Sequence, residues 1–479
     1  MACTTILVGK KASYDGSTMI ARNDDSPSGK FEEKKLIVVE RNKNGVNYKT
    51  KENGLEIELP KESARYTLMP NVNPKEGIWG AAGINEYNVG MTATETITSN
   101  PIVLGADPLT DNEYLYEKPT GIGEEDLVVL VLPYIKSAKE GVLRLGELLE
   151  KYGTYESNGI AFNDKDSIWW LETIGGHHWI AKRVRDEDYV VMPNQFGLDE
   201  FDFKDAFGAQ NENLCSKDLK EFIIKNHLDL NLDDDFNPRL AFGSHDDSDH
   251  VYNTPRAWFM ERYLNPRTFE WNGPHADYTP ESDDIRWSLT PERKITIEDI
   301  KYLLGSYYQG TPFNPYDKNG MSKYRPIGIS RTSFMAILQI RGYVNERISA
   351  IEWVAFGSNA FNSMTPIYAN TNVIPVYFSN TTLDVNTNNY YWNMRLLAAL
   401  ADAHFKTTAI FIERYQDKVA TASHYILNKY DKLIKTDEDI VKANEELANM
   451  VEQETKKALS QVLYTASTGM KNGFSRSDN

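Results

Sequence analysis

The chain has 479 residues, 41% hydrophobic and 25% charged, and its 52 Lys and Arg against 69 Asp and Glu leave a formal net charge of −17. That balance excludes a nucleic-acid binder, which needs a positive face, and its spread along the whole chain reads as solubility. Two cysteines cannot form a disulfide framework, and residues 1–30 lack the basic start and sustained apolar core of a signal peptide, so a cytoplasmic protein is expected.

The chain opens on Cys3-Thr4-Thr5-Ile6-Leu7-Val8-Gly9, an apolar β-like run. A Tyr14-Asp15-Gly16-Ser17 turn leads into Thr18-Met19-Ile20-Ala21 and then Arg22-Asn23-Asp24-Asp25. The pattern predicts a hairpin that brings Arg22 and Asp25 back beside Cys3. Leu36–Glu40 and Leu55–Leu59 read as short strands, and Gly77–Glu86 followed by Val89–Thr96 as a second hairpin whose small residues allow close backbone approach. Residues 124–151 have helical periodicity, kinked at Pro133 and stopped at Gly153. The apolar run Leu127–Leu132 inside it is far too short to cross a bilayer, so no membrane partner is expected.

Strands resume at Gly159–Phe162, Ser167–Glu172 and His178–Val184, the last two joined by a Gly175-Gly176 turn. Tyr189–Met192 ends at Pro193-Asn194. Residues 197–325 are mixed, with short helices. Thr332–Ile340 and Ile351–Phe356 return to strand. Tyr391–Tyr430 and Asp437–Leu463 are long amphipathic helical runs, and the polar tail Ser467–Asn479 is expected to fray. The sum is a layered α+β architecture, with residues 1–388 as the main domain and 389–479 as a helical C-terminal region.

The predicted first hairpin gathers a thiol, a guanidinium and a carboxylate. A thiol titrates at about 8.5 and needs help to ionise at neutral pH. Arg22 would supply a fixed cation. If Cys3 became N-terminal, its α-amine, titrating at about 7.7, would carry protons at cytoplasmic pH. Asp25 would orient that amine. Taken singly, each residue has a plainer reading: Cys3 as a buried strand residue, Arg22 with Asp24 or Asp25 as a surface ion pair. Ser244-His245-Asp246-Asp247-Ser248-Asp249-His250, with His177-His178, is the one metal-like cluster and the basis of a rival metallopeptidase reading, although such a Ser/Asp-rich turn is more often a solvated loop. Cys215, beside Leu214, reads as a packed or incidental thiol.

Cys3-Thr4-Thr5 with Ala21-Arg22-Asn23-Asp24-Asp25 resembles the start of the N-terminal-nucleophile cysteine hydrolases. It is most similar to the dipeptidases of the dipeptidase A type, peptidase family C69, relatives of penicillin V acylase and bile salt hydrolase. The likeness continues through Gly83–Glu86, Trp169–Glu172 and Trp353–Ser358. It implies an αββα sandwich, two antiparallel sheets between helical layers, with a helical C-terminal extension. It implies a chain that begins at the cysteine, with Cys3 as nucleophile and its own amine as base. Arg22 then steadies the thiolate and Asp25 contacts the amine. Asn194 matches an oxyanion-hole asparagine, and Arg256, in Thr254-Pro255-Arg256-Ala257, a second active-site arginine. Ala2 departs from the pattern, so loss of both Met1 and Ala2 is expected. Dipeptides are the implied substrates, with penicillin-type or bile-salt-type amides as the alternative. Glu95 is the candidate partner for a substrate ammonium, and Arg256 or Arg331 for its carboxylate. No metal or cofactor is called for, and the aromatic-rich C-terminal helices suit a homo-oligomer.

Overall fold

Alternation along the strands decides the architecture. In the computed structural model, which describes residues 3–232 and 235–470 apart from the side chains of 94 and 95, thirteen strands form two large sheets. They are β1 (Thr4–Val8), β2 (Thr18–Asp25), β3 (Ala82–Ile84), β4 (Gly90–Thr96), β5 (Asn158–Asn163), β6 (Ile168–Ile174), β7 (His178–Val184), β8 (Tyr189–Met192), β9 (Asn213–Cys215), β10 (Ser288–Leu289), β11 (Thr332–Ile340), β12 (Ala350–Phe356) and β13 (Thr365–Tyr368). One sheet runs β10-β8-β1-β2-β11-β12-β13 and the other β9-β7-β6-β5-β4-β3, with antiparallel pairing throughout. The helices used below are α1 (Glu124–Val131), α2 (Ala138–Tyr152), α3 (Thr254–Leu264), α4 (Ile297–Leu304), α5 (Tyr390–Ala403), α6 (Phe405–Tyr430) and α7 (Asp437–Thr468).

Successive strand residues point to opposite faces. Leu7, Ile20, Ala336 and Leu338 of one sheet share a core with Ala161, Trp170 and Ile180 of the other. Their neighbours Ile6, Val8, Met19, Ala21, Met335 and Ile337 face outward onto Trp258 and Met260 of α3 and Ile300 and Leu303 of α4. On the far side Met91, Ala93, Ile160, Trp169 and Leu171 pack on Leu127 and Leu130 of α1 and Val142 and Leu145 of α2. Both faces of both sheets are thus covered, giving an αββα sandwich with near-continuous apolar strands. The C-terminal helices close one edge. Asn444 of α7 accepts from the Tyr368 N–H (2.9 Å) and donates to the Tyr368 carbonyl (3.2 Å), so a side-chain amide satisfies the edge strand β13.

The predicted kink at Pro133 is a 3₁₀ turn over Leu132–Tyr134, and Gly153 caps α2 with a φ of 70° that glycine adopts at no steric cost. The run predicted as one helix over Tyr391–Tyr430 is two. It breaks at His404 (φ −125°, ψ 30°), which seats Phe405 flat on Tyr316 with ring centroids 3.8 Å apart. The last residues of the predicted frayed tail, 471–479, lie outside those described.

Candidate active site

Register places the first two functional groups. Thr5 stands opposite Arg22 in the β1–β2 pairing, so Arg22 projects between the sheets on the face of Cys3. Its Nη2 lies 2.8 Å from Cys3 Sγ, and both residues are 0% exposed. The guanidinium is held on every side. Nε donates to the Asn23 carbonyl (3.1 Å), Nη1 to the Ala93 carbonyl of β4, and Nη2 also to Asp24 Oδ1 (3.1 Å) and Glu124 Oε1 (3.4 Å).

The charges there are paired. Lys34, fully buried, lies 3.2 Å from Asp24 Oδ2 and donates to the Trp79 carbonyl at 2.8 Å. Burial alone would push the Asp24 carboxyl up, but Lys34 and then Arg22 outweigh it and hold it below its ordinary value. Cys3, Asp24 and Glu124 bring their ligand atoms within 4.8 Å of one another, a spacing that suits a metal ion. The Arg22 Nη2 lies within 3.4 Å of all three, so a guanidinium holds the position a cation would take. Trp79 (φ 47°) and Ala81 (φ 49°) are both non-glycine residues in the left-handed region. Their carbonyls face Lys34 and Arg22 (3.5 Å), so backbone strain is spent where the cations are fixed. Behind this layer Glu156 Oε1 accepts from the Glu124 N–H at 2.5 Å, and burial with the nearby Glu124 pushes the Glu156 carboxyl up to about 7.

The other side of Cys3 is gripped by Arg256 of α3, also fully buried. Its Nη1 donates to the Cys3 carbonyl and to Thr4 Oγ1 (2.6 Å). Its Nη2 donates to Asn194 Oδ1 (2.7 Å) and Asn253 Oδ1 (2.7 Å), and its Nε to the Tyr252 carbonyl (2.6 Å). Asn194 follows β8, which pairs directly with β1. Its amide oxygen is taken by Arg256, so the NH₂ group is the end of this side chain that can donate.

Cys3, Arg22, Arg256 and Asn194 therefore form one connected cluster. Asp25 lies on the other face of β2, where its carboxylate binds Arg325 Nη2 (2.5 Å) and Thr332 Oγ1 (2.6 Å). Arg331, half-buried, donates to the Ser26 carbonyl next to it. The Glu95 side chain lies outside those described; its backbone stands opposite Gly159, just past a bulge after Ala93. Sequence reasoning missed Lys34, Glu124 and Arg325 and gave Asp24 no role in the site. Alternation along β2 was a usable signal for Asp24, which shares the face of Arg22 where Asp25 does not. Lys34, Glu124 and Arg325 reach the site from distant segments and carried no local signal.

The metal-like residues are partnered elsewhere. His177 and His178 both turn Nδ1 to Asp107 (2.9 and 2.7 Å), His250 turns Nε2 to Asp283 (2.9 Å), and His245 turns Nε2 to the Leu240 carbonyl (3.1 Å). Cys215 is half-buried on β9, and burial, with Asp218 and Glu150 nearby, pushes its thiol up to about 12.

A family profile described as Peptidase family C69 matches residues 2–418. A protein named Dipeptidase from Bifidobacterium longum (strain NCC 2705) is 50% identical, the alignment covering 100% of each chain. A Probable dipeptidase A from Streptococcus pyogenes serotype M3 is also 50% identical over 100% of each chain. Dipeptidase A from Lactobacillus helveticus is 42% identical over 96% of each.

Proposed function

This chain belongs to peptidase family C69, and from that membership we infer that it is a dipeptidase whose attacking atom is Cys3 Sγ. The observation that carries the choice of nucleophile is the 2.8 Å approach of a fully buried guanidinium to that sulfur. A cation at this distance, itself balanced by Asp24 and Glu124, favours the thiolate.

The residues preceding Cys3 are removed, and the freed α-amine takes the thiol proton. Sγ then attacks the carbonyl carbon of the scissile bond, and the carbonyl oxygen gains the negative charge. The NH₂ group of Asn194 receives that charge, held in place because Arg256 binds its oxygen. Collapse of the intermediate breaks the C–N bond. The ammonium returns its proton to the leaving nitrogen, and the C-terminal amino acid departs. A water next gives a proton to the amine and its oxygen to the thioester carbonyl. The second collapse frees the N-terminal amino acid and regenerates the thiolate.

Arg256 has its guanidinium committed to Cys3, Thr4, Tyr252, Asn194 and Asn253, so it acts as a positioning residue. Arg331, bound among the described residues to one carbonyl, is the better partner for a substrate carboxylate. Glu95, two residues along β4 from the Ala93 carbonyl that holds Arg22, is the partner for the substrate ammonium. Asp25, anchored by Arg325 and Thr332, orients the new amino terminus. The enzyme works in the cytoplasm as a homo-oligomer assembled through residues 389–479, the helical extension of the 1–388 domain. Exposed Tyr425 and Tyr464 on α6 and α7 favour that surface, and among the described residues no helix is long and apolar enough to cross a membrane.

Intact mass of the active enzyme is expected to show a chain starting at Cys3. Dipeptides should be cleaved in preference to penicillin V or conjugated bile salts, with sensitivity to iodoacetamide and none to EDTA. An active enzyme that keeps Ala2 overturns the amine as base.

A further inference from the structure

A cavity lies on the opposite face of the seven-stranded sheet from Cys3 Sγ. It occupies about 530 Å³ between α4 and α6. Its walls are mainly apolar and aromatic, including Tyr302, Tyr307, Trp353, Phe361, Phe405 and Ile412. Trp353 belongs to the helix-facing core of β12, which separates this space from the inter-sheet layer that holds the thiol.

Lys301 of α4 lines the cavity, and its Nζ donates to the Asn359 carbonyl at 2.5 Å. Among the described residues no carboxylate comes within ion-pair distance of it. Burial pushes its ammonium down to about 7, with no acid to offset the loss of water. The other acids lining the cavity are either spent or at its mouth. Glu298 binds His424 (2.7 Å) and Asp299 binds Arg293 (2.6 Å), while Glu413 and Asp417 of α6 are exposed. A half-buried ammonium with no counter-ion among the described residues, beside a largely apolar chamber, is costly unless an anion enters.

We propose that this cavity is a second ligand site, separate from the catalytic centre, for a small organic carboxylate with an apolar body whose carboxylate pairs with Lys301. The aromatic walls take the apolar body. A free amino acid with a large apolar side chain and a carboxylic acid without the amino group share this chemistry. Glu413 and Asp417 at the mouth offer an ammonium partner to the first alone.

The test is calorimetric titration of the full-length protein with L-phenylalanine and with 3-phenylpropionate. One-to-one binding is expected. Lys301→Met should weaken it about tenfold or more, the size of one lost charged contact. Ala420→Trp, which fills the cavity from α6 and leaves Lys301 in place, should abolish it. Unchanged dipeptide hydrolysis in both variants certifies the fold, since neither residue touches the Cys3 cluster. Tighter binding of L-phenylalanine assigns the site to amino acids, and tighter binding of 3-phenylpropionate to carboxylates lacking the amine. Binding that survives in both variants belongs elsewhere on the protein and overturns the proposal, as does absence of heat at millimolar ligand. Neither result bears on Cys3 as nucleophile.

Discussion

The two thiols of this chain lie on two sheets of the same sandwich and meet opposite surroundings. Cys3 immediately precedes the interior strand β1, with a guanidinium 2.8 Å from its sulfur. Cys215 ends the edge strand β9, where Asp218 and Glu150 add to burial and hold it as the neutral thiol. The carboxylates divide the same way. Asp24, against Lys34 and Arg22, is kept charged. Glu172, in register through Ile180 with Cys215, is pushed up to about 7 because burial outweighs every group that would lower it. Burial depth does not distinguish the two carboxylates, since Asp24 and Glu172 are both fully enclosed. A buried cation does, and it separates a region built for ionised groups from one built for neutral ones.

The strongest way to break this contrast is to exchange the roles of the sulfurs. Cys3→Ala should lower kcat/KM for a dipeptide by roughly 10⁴-fold or more, the scale of losing a nucleophile, while Cys215→Ala stays within twofold. Iodoacetamide at pH 7 should modify Cys3 well before Cys215, read by peptide mass. Hydrolysis that persists in Cys3→Ala would end the assignment.

The next step removes the cation. Arg22→Met leaves Asp24 and Glu124 facing the sulfur without their partner. Activity should fall by about 10²-fold or more, since one member of a buried charge cluster is lost. The Cys3 alkylation rate should drop toward that of Cys215. Arg22→Lys restores charge without the fork and should recover part of both. Equal alkylation rates in wild type and Arg22→Met would show that the guanidinium is not what activates the sulfur.

Asn194→Ala tests the third member. It should lower kcat by about 10²–10³-fold with KM little changed, the pattern of a donor that acts on the developing oxyanion. An equal loss placed wholly in KM would assign Asn194 to substrate binding.

Much of this contrast was legible in the chain itself. The Tyr14–Ser17 turn between two apolar runs predicted a hairpin that returns Arg22 to Cys3, and the β1–β2 pairing, with Thr5 opposite Arg22, does so. The αββα layering followed from the family resemblance together with strands flanked by helical runs. Asp24 stands in the same motif and, by the period of two, on the face of Arg22, although the sequence reading gave a site role to Asp25 alone. Lys34 and Glu124 were not legible, because tertiary folding alone carries them to Arg22. The two- and three-residue strands β9 and β10 were equally hidden, being too short to show a period, whereas β3 lies in the first arm of the predicted Gly77–Thr96 hairpin and pairs with β4. The break at His404 answers to the stacking of Phe405 on Tyr316, a contact between segments far apart in sequence.

The smallest expected effect sharpens the neutral half of the comparison. Glu172 Oε1 accepts from the Gly197 N–H (2.7 Å) and Trp170 Nε1 (3.0 Å), while Oε2 has no hydrogen-bond partner among the described residues. Its carboxyl is pushed from an ordinary 4.5 up to about 7, chiefly by burial. The unfolded chain therefore releases this proton at lower pH than the folded one. The stability it contributes is fully present below about pH 4.5 and is lost as pH rises through about 7. Glu172→Gln keeps the accepting oxygen and removes the proton. The variant should lose little at pH 5 and gain about 1–3 kcal/mol relative to wild type at pH 8, within the linkage limit of about 1.4 kcal/mol per pH unit. Thermal unfolding from pH 5 to 8 reads this directly. The wild-type curve should fall more steeply than that of Glu172→Gln by the titration of this one carboxyl, while the fall due to Glu32, Glu156 and Glu352, each also raised to about 7, is common to both. Parallel curves would mean that Glu172 is ionised in the folded enzyme, and the division between charged and neutral regions would then not extend to the row of Cys215.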